Sequence, residues 1–195
     1  MVNVRPMRIP GRWHGGYVLD YHTVSSTYIG DNSFGHPMFD TKRTEIGELL
    51  FRLKNRSDYS VVDEIAETAA DFVNSWKNGA ALILPVAPSG ERARQPVYVL
   101  ADALGKRVGI PVEFKCLMRA KKISELKNIY DYHERLRLLE GAHTIDASTI
   151  AGQKVPLFDD LYRSGATMNS ITELLYNVGV LEVHALAISR TRSRL

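Results

Sequence analysis

Four apolar runs of strand length punctuate the chain from residue 80 onward: AALILPV, PVEFKCL, KVPLFDD and EVHALAIS. AALILPV has no polar alternation, the pattern of a strand buried on both faces of a parallel sheet. The stretches between the runs switch to helical spacing. Pro96 through Val108 reads as a helix ended by Gly109, and Thr167–Val178 as a helix stopped by Gly179. Ser124–Gly141 is charged and partly helical, with Ile129, Tyr132, Leu136 and Leu139 on one stripe. Strands separated by helices predict an α/β fold, a mostly parallel sheet flanked by helices. Such sheets bind ligands beyond the carboxyl ends of their strands. The loops after AALILPV, PVEFKCL and KVPLFDD are therefore where a site is expected.

Upstream, the opening stretch is rich in Gly, Pro and Arg and reads as irregular. Gly16–Ile29 carries β-branched and aromatic residues around a Ser25-Ser26 break, which suggests an N-terminal β-hairpin. Residues 30–40 form a loop by composition. Thr44 is a candidate N-cap for EIGELLFRLKN, where Ile46, Leu49, Leu50 and Leu53 share a helical face. A second helix is expected from Ser60 to Trp76, with Val62, Ile65, Ala69, Phe72 and Val73 on one face and Asn78-Gly79 as its stop. With 195 residues, 45% of them hydrophobic, one domain is expected: an irregular or hairpin part over 1–40 and a core over 41–195.

Several function classes have nothing to stand on. The single cysteine, Cys116, permits no internal disulfide and no cysteine-based zinc site, and its neighbours suggest a buried thiol. The six histidines show no HExxH-like pairing; there is no Gly-x-Gly-x-x-Gly, no Gly-x-Ser-x-Gly elbow, and no Lys-Ser/Thr near Gly90. No apolar run approaches the roughly 20 residues of a membrane span, and the N-terminus lacks a secretory pattern; a cytoplasmic address is expected. The net charge of +3 suits anionic ligands without singling out nucleic acid. Arg190, Arg192 and Arg194 read as a solvated tail with no aromatic platform.

The segment VPLFDDLYRSGATMN is the most informative in the chain. An apolar strand delivers Asp159 and Asp160, a short loop over Leu161–Ala166 follows, and a helix opens at about Thr167. Gly165 permits positive φ or close backbone approach. A helix start offers unpaired N–H groups and a positive dipole end to a phosphate, and Ser164 and Thr167 add hydroxyls. A carboxylate pair for a diol beside a donor nest for a phosphate is what a ribose 5-phosphate requires.

This segment resembles the signature of type I phosphoribosyltransferases, in which a hydrophobic strand, two acidic residues and Ser/Thr-Gly-x-Thr follow one another. The wider chain is most similar to the ComF-like (competence-protein-F type) branch. EIGELLFRLKN matches its helix ending in Leu-Lys, ILPVAP its strand ending in Pro-Val-Pro, CLMRAKK its Leu-x-Arg segment, and LEGAHTID its Gly-Ala stretch.

The resemblance implies the following roles. Asp159 and Asp160 hold the ribose hydroxyls of phosphoribosyl pyrophosphate (PRPP), directly or through Mg²⁺. Arg163, Ser164, Gly165, Ala166 and Thr167 wrap the 5-phosphate. Ala87, Pro88, Ser89 and Gly90 hold the pyrophosphate, with Arg119 and Lys121 offsetting its charge, and the 120–140 stretch closes as a lid. Tyr162 either stacks near the ligand or packs the loop. Purine-salvage relatives carry an Asp where Arg163 stands, and an arginine cannot accept a base proton; hypoxanthine or guanine salvage is therefore not implied. Two functions follow: transfer of phosphoribose from PRPP to an unidentified amine or base, or a non-catalytic PRPP- or nucleotide-binding module. The second would work with DNA-uptake or DNA-processing partners, and a third reading is direct single-stranded DNA binding by the basic tail and lid. A homodimer is compatible with each.

Overall fold

The structure, a computed structural model, describes residues 1–76, 79–88, 90, 92–121, 129 and 131–192. Its centre is a five-stranded sheet in the order β1-β2-β9-β8-β5. These strands are β1 (Met7–Arg8), β2 (Gly15–Tyr21), β5 (Leu84–Pro85), β8 (Lys154–Tyr162) and β9 (Glu182–Arg190). All neighbours are parallel except β1, an antiparallel edge on β2. The expected α/β sheet is therefore present. Parallel pairing brings the carboxyl ends of β2, β9, β8 and β5 to one edge.

The long strands β8 and β9 are apolar on both faces because both faces are covered. Val183, Ala185 and Ala187 of β9 and Val155 and Leu157 of β8 pack with Met168, Ile171 and Leu175 of α5 (Ala166–Asn177). The alternate residues Leu186, Ile188 and Phe158 pack against three helices on the other side. These are α1 (Glu45–Arg56), α2 (Val62–Trp76), entered through a 3-10 turn at Tyr59–Val61, and α3 (Pro96–Val108). The period of two along the strands thus sorts side chains between two cores.

Helix α1 begins where the sequence placed it. Thr44 Oγ1 accepts from the Gly47 N–H at 3.0 Å and donates to the Tyr21 carbonyl at 2.6 Å, so one hydroxyl caps the helix and ties it to the end of β2. Gly47 lies against the His22 carbonyl so closely that a β-carbon there would overlap backbone. Alanine favours helices by about 1 kcal/mol over glycine, yet overpacking against an immovable neighbour costs roughly 1–3 kcal/mol. Gly47→Ala is expected to be net destabilising, by about 2 kcal/mol, seen as a lower urea midpoint. A midpoint at or above wild type would mean that α1 is free to shift away from β2.

The sequence reading needs four corrections. The hairpin is not Gly16–Ile29: β2 is a strand of the central sheet, and β3 (Thr23–Asp31) pairs antiparallel with β4 (Pro37–Arg43). Ser25 and Ser26 lie inside β3, and the turn is built by Asn32, whose side chain accepts from the N–H groups of Phe34 and His36. PVEFKCL is not a strand of the parallel sheet. Only Val112 bridges to Ile83, while β6 (Leu117–Arg119) pairs antiparallel with β7 (His143–Ile145). The strand KVPLFDD runs on to Tyr162, which shortens the loop to Arg163–Gly165, and the following helix opens at Ala166. Arg190 and Arg192 are not a bare solvated tail. Both guanidiniums lie over the Tyr21 ring, 5.6 and 4.4 Å from its centroid, and Arg192 Nε donates to the Thr23 carbonyl. Arg194 and Asn78 lie outside the described residues.

Cys116 is buried and its thiol is pushed up to about 11 by desolvation, with Glu113 and Asp146 adding to the rise. It is an inert core thiol, as read. His143 on β7 is 3% exposed with no partner for either ring nitrogen among the described residues. Burial, reinforced by the Arg119 cation, lowers its pKa from 6.5 to about 4. Above pH 6.5 the imidazole is neutral in both the folded and the unfolded chain. Between 6.5 and 4 only the unfolded chain takes up the proton, so stability falls as pH falls through that window. The loss amounts to roughly 3 kcal/mol. His143→Asn should flatten this part of the pH–stability profile; an unchanged slope would assign the loss to other groups.

Candidate functional site

The carboxyl edge of the sheet opens into a cleft of about 560 Å³. Its walls bring together Asp159 and Asp160, the loop Arg163–Gly165 with Ala166 and Thr167, and Ala87, Pro88 and Gly90 after β5. Segments some 70 residues apart in sequence meet here because β5 and β8 are neighbours, Pro85 opposite Phe158. Ser89 lies outside the described residues. Arg119 and Lys121 are not among the residues lining the cleft. Arg119 sits on β6 opposite His143 and donates from Nε to the Lys121 carbonyl.

The acidic pair is electrostatically loaded. Asp159 accepts from the Asp160 N–H at 2.8 Å. Desolvation, then repulsion from the Asp160 carboxylate, raises the Asp159 pKa to about 7, against the opposing pull of Lys54. Asp160 shares the sheet face of Phe158, the side that carries α1, and there it meets Lys54: Nζ donates to Oδ1 at 2.7 Å. The last turn of α1 is itself held. Its Leu53 is buried, Arg52 clamps Asp58 at 2.6 Å, and the Lys54 carbonyl accepts from Arg92 Nη1 at 2.7 Å.

The phosphate-type loop is built as a rigid turn. Gly165 has φ +78°, the first turn of α5 lines the cleft, and the Ala166 N–H donates to Ser164 Oγ at a long 3.4 Å. The buried Asn169 braces the loop: its Nδ2 donates to the Gly165 carbonyl at 3.0 Å, and its Oδ1 accepts from the Arg12 N–H at 2.7 Å. Tyr162 lies beneath Gly165, edge-on to Trp13, and donates to the Pro10 carbonyl at 3.4 Å. It packs the loop and also lines the cleft.

Arg135, from α4 (Tyr132–Leu139), also lines the cleft, 8% exposed, with Nη1 donating to the Ile129 carbonyl. Desolvation and then the nearby Arg163 charge lower its pKa. The two guanidiniums add positive charge beside the first turn of α5. Sequence reasoning missed Lys54, Arg92 and Arg135 as site residues. Lys54 had a signal, since it follows the buried Leu53 within the quoted Leu-Lys pair. Arg135 had none, because its stripe reads only as apolar residues with charges between them.

Among the described residues no group of three or more His, Cys, Asp or Glu could hold a metal ion. Asp160 is already ion-paired and Asp159 is pushed toward neutrality. With the Lys54 ammonium on Asp160, the site fits Mg²⁺ best as an ion held mainly by a ligand's phosphate oxygens, where Mg²⁺ commonly binds together with one or two carboxylates and water. Among the described residues no helix is long and apolar enough to cross a membrane.

No family model and no curated protein matches the sequence. Solved structures match its shape. The allosteric regulatory enzyme of purine biosynthesis aligns with a TM-score of 0.50 at 18% identity, over 80% of this chain and 34% of that one. UMP synthase of Leishmania donovani gives 0.42 at 16% identity, over 83% and 28%. A hypoxanthine phosphoribosyltransferase of Staphylococcus aureus gives 0.45 at 16%, over 69% and 67%. The chain thus spans about a third or less of the first two proteins. The parallel sheet with helices on both faces has the type I phosphoribosyltransferase fold.

Proposed function

We propose that the cleft binds PRPP and that the protein transfers its phosphoribosyl group to an amine or base, with release of pyrophosphate. The observation that carries this reading is the meeting, in one cleft, of the Asp159–Asp160 pair with the Arg163–Thr167 turn. The acidic pair takes the ribose hydroxyls. Gly165, Ala166 and Thr167 present backbone N–H groups to the 5-phosphate, with the Ser164 and Thr167 hydroxyls and the Arg163 and Arg135 charges around it. Ala87, Pro88 and Gly90 lie on the pyrophosphate side, where Arg92 supplies the cation first sought in Arg119 and Lys121.

Mg²⁺ bound with the diphosphate supplies charge neutralisation to the departing pyrophosphate. The chain's own contribution is position and electrostatics, fixed in advance by the Lys54, Asn169 and Gly165 contacts. Arg163 offers no base for a purine proton, so the acceptor brings its own nucleophilic nitrogen. The ComF-like assignment is supported by the Leu-Lys pair, whose lysine reaches the acidic pair. The test is pyrophosphate release from Mg–PRPP over a panel of free amines and nucleobases. Acceptor-dependent release is expected; PRPP bound without release by any acceptor would favour a binding module.

A further inference from the structure

Two adjacent carboxylates in a half-buried cleft repel each other, and a cation usually settles the conflict. In this chain a cation is already covalently part of the site. Lys54 Nζ lies 2.7 Å from Asp160 Oδ1, with the two side chains only 26% and 12% exposed. The contact is not an accident of a long side chain sweeping the surface. The helix turn that carries Lys54 is pinned by the buried Leu53, by the Arg52–Asp58 pair and by Arg92 on the Lys54 carbonyl. The same turn therefore touches the acidic pair through its side chain and the β5–α3 loop through its backbone.

A divalent cation binding at Asp160 would meet the repulsion of this ammonium. A sugar diol would not. A carboxylate offers about four acceptor positions and an ammonium three donors, so an ion-paired Asp160 still has lone pairs for hydroxyl groups. On the PRPP reading, the diphosphate would lie with Ala87, Pro88, Gly90 and Arg92, which also line the cleft.

We propose that Lys54 is the resident counter-cation of the acidic pair, so that the site recognises the 5-phosphoribosyl group without a divalent metal. Mg²⁺ then serves the diphosphate alone. The inference rests on the PRPP reading of the cleft and deepens it: it assigns Lys54 as a positioning residue and names ribose 5-phosphate sugars as metal-independent ligands.

The experiment is calorimetric titration of ribose 5-phosphate, in EDTA and in Mg²⁺, into the wild-type protein, Lys54→Met and Lys54→Arg. The wild type is expected to bind equally under both conditions. Lys54→Met should lose about tenfold or more in EDTA, the scale of a charge-assisted hydrogen bond, and recover in Mg²⁺. Lys54→Arg should stay close to wild type. A wild-type protein that binds ribose 5-phosphate only with Mg²⁺ overturns the proposal, and so does Lys54→Met binding normally in EDTA. The wild-type comparison decides even if a variant fails to fold. A titration of Mg–PRPP alongside separates the two levels. If PRPP binds while ribose 5-phosphate in EDTA does not, only the role of Lys54 falls. If neither binds, the reading of the cleft falls with it.

Discussion

Asp159→Asn combined with Asp160→Asn is expected to abolish PRPP binding and leave the protein folded. The substitutions keep the shape of both side chains and remove the acceptor charge that two ribose hydroxyls need. The effect on stability should be small because two terms oppose. Neutralising Asp159 relieves the desolvation and repulsion that already raise its pKa to about 7. Neutralising Asp160 strips Lys54 of its partner, but that ammonium is 26% exposed and can turn toward water. Because Asp160 is only 12% exposed, the loss there should exceed that of a surface pair yet stay below the roughly 3 kcal/mol of a fully buried one. Calorimetry with PRPP and a urea midpoint check both parts. A folded double variant with wild-type PRPP affinity would remove the acidic pair from the site.

Gly165→Val should be the most damaging single change in the loop, for a reason the sequence does not display. A branched side chain there obstructs the close backbone approach that the sequence suggests. The structure adds a second, nearer obstacle: a β-carbon at residue 165 would sit 2.5 Å from Tyr162 Oη and 2.9 Å from two atoms of its ring. Tyr162 cannot yield easily, since it is buried, edge-on to Trp13, and bound to the Pro10 carbonyl. The residue also has φ +78°, a conformation that costs a side chain bearing a β-carbon about 1–2 kcal/mol. With overpacking added, the loss should reach about 3 kcal/mol, with PRPP binding lost in whatever fraction stays folded. Gly165→Asn separates the causes, because asparagine tolerates left-handed backbone yet keeps the β-carbon. It should recover only part of the loss; wild-type stability in Gly165→Asn would show that the collision with Tyr162 is unimportant.

What could be read from the residues was whatever local chemistry decides. The apolar runs AALILPV, KVPLFDD and EVHALAIS all became parallel neighbours, because a strand with no polar face has nowhere to go but the middle of a covered sheet. Thr44 and Gly109 ended their helices as expected, since capping depends on a few adjacent atoms. PVEFKCL was misjudged because its apolar character serves a different burial. Cys116 and Leu117 join the core from an antiparallel β6–β7 pair, and β propensity does not say which partner a strand takes. The hairpin was displaced because GYVLDYH and TVSSTYI read alike, while only the first is claimed by β9.

The site divides in the same way. Asp159, Asp160 and Gly165 were legible because they are contiguous. Lys54 comes from a helix 106 residues away from Asp160 in sequence, Asn169 braces the loop through Arg12, and Arg135 enters from α4. These contacts exist only through tertiary packing, so no local pattern announces them. The reverse error has the same origin. Arg119 and Lys121 have the right charge and follow an apolar segment, but that segment is not a strand of the central sheet and does not deliver them to the cleft.

The central claim is that this cleft is a PRPP site, and calorimetric titration of PRPP with Mg²⁺ into the wild-type protein tests it most directly, with ribose 5-phosphate and AMP alongside. Saturable binding of PRPP at one site per chain, tighter than either comparison ligand, is the predicted result. No binding of any of the three by a folded protein would contradict the claim, leaving the acidic pair and its phosphate turn as features of the fold alone.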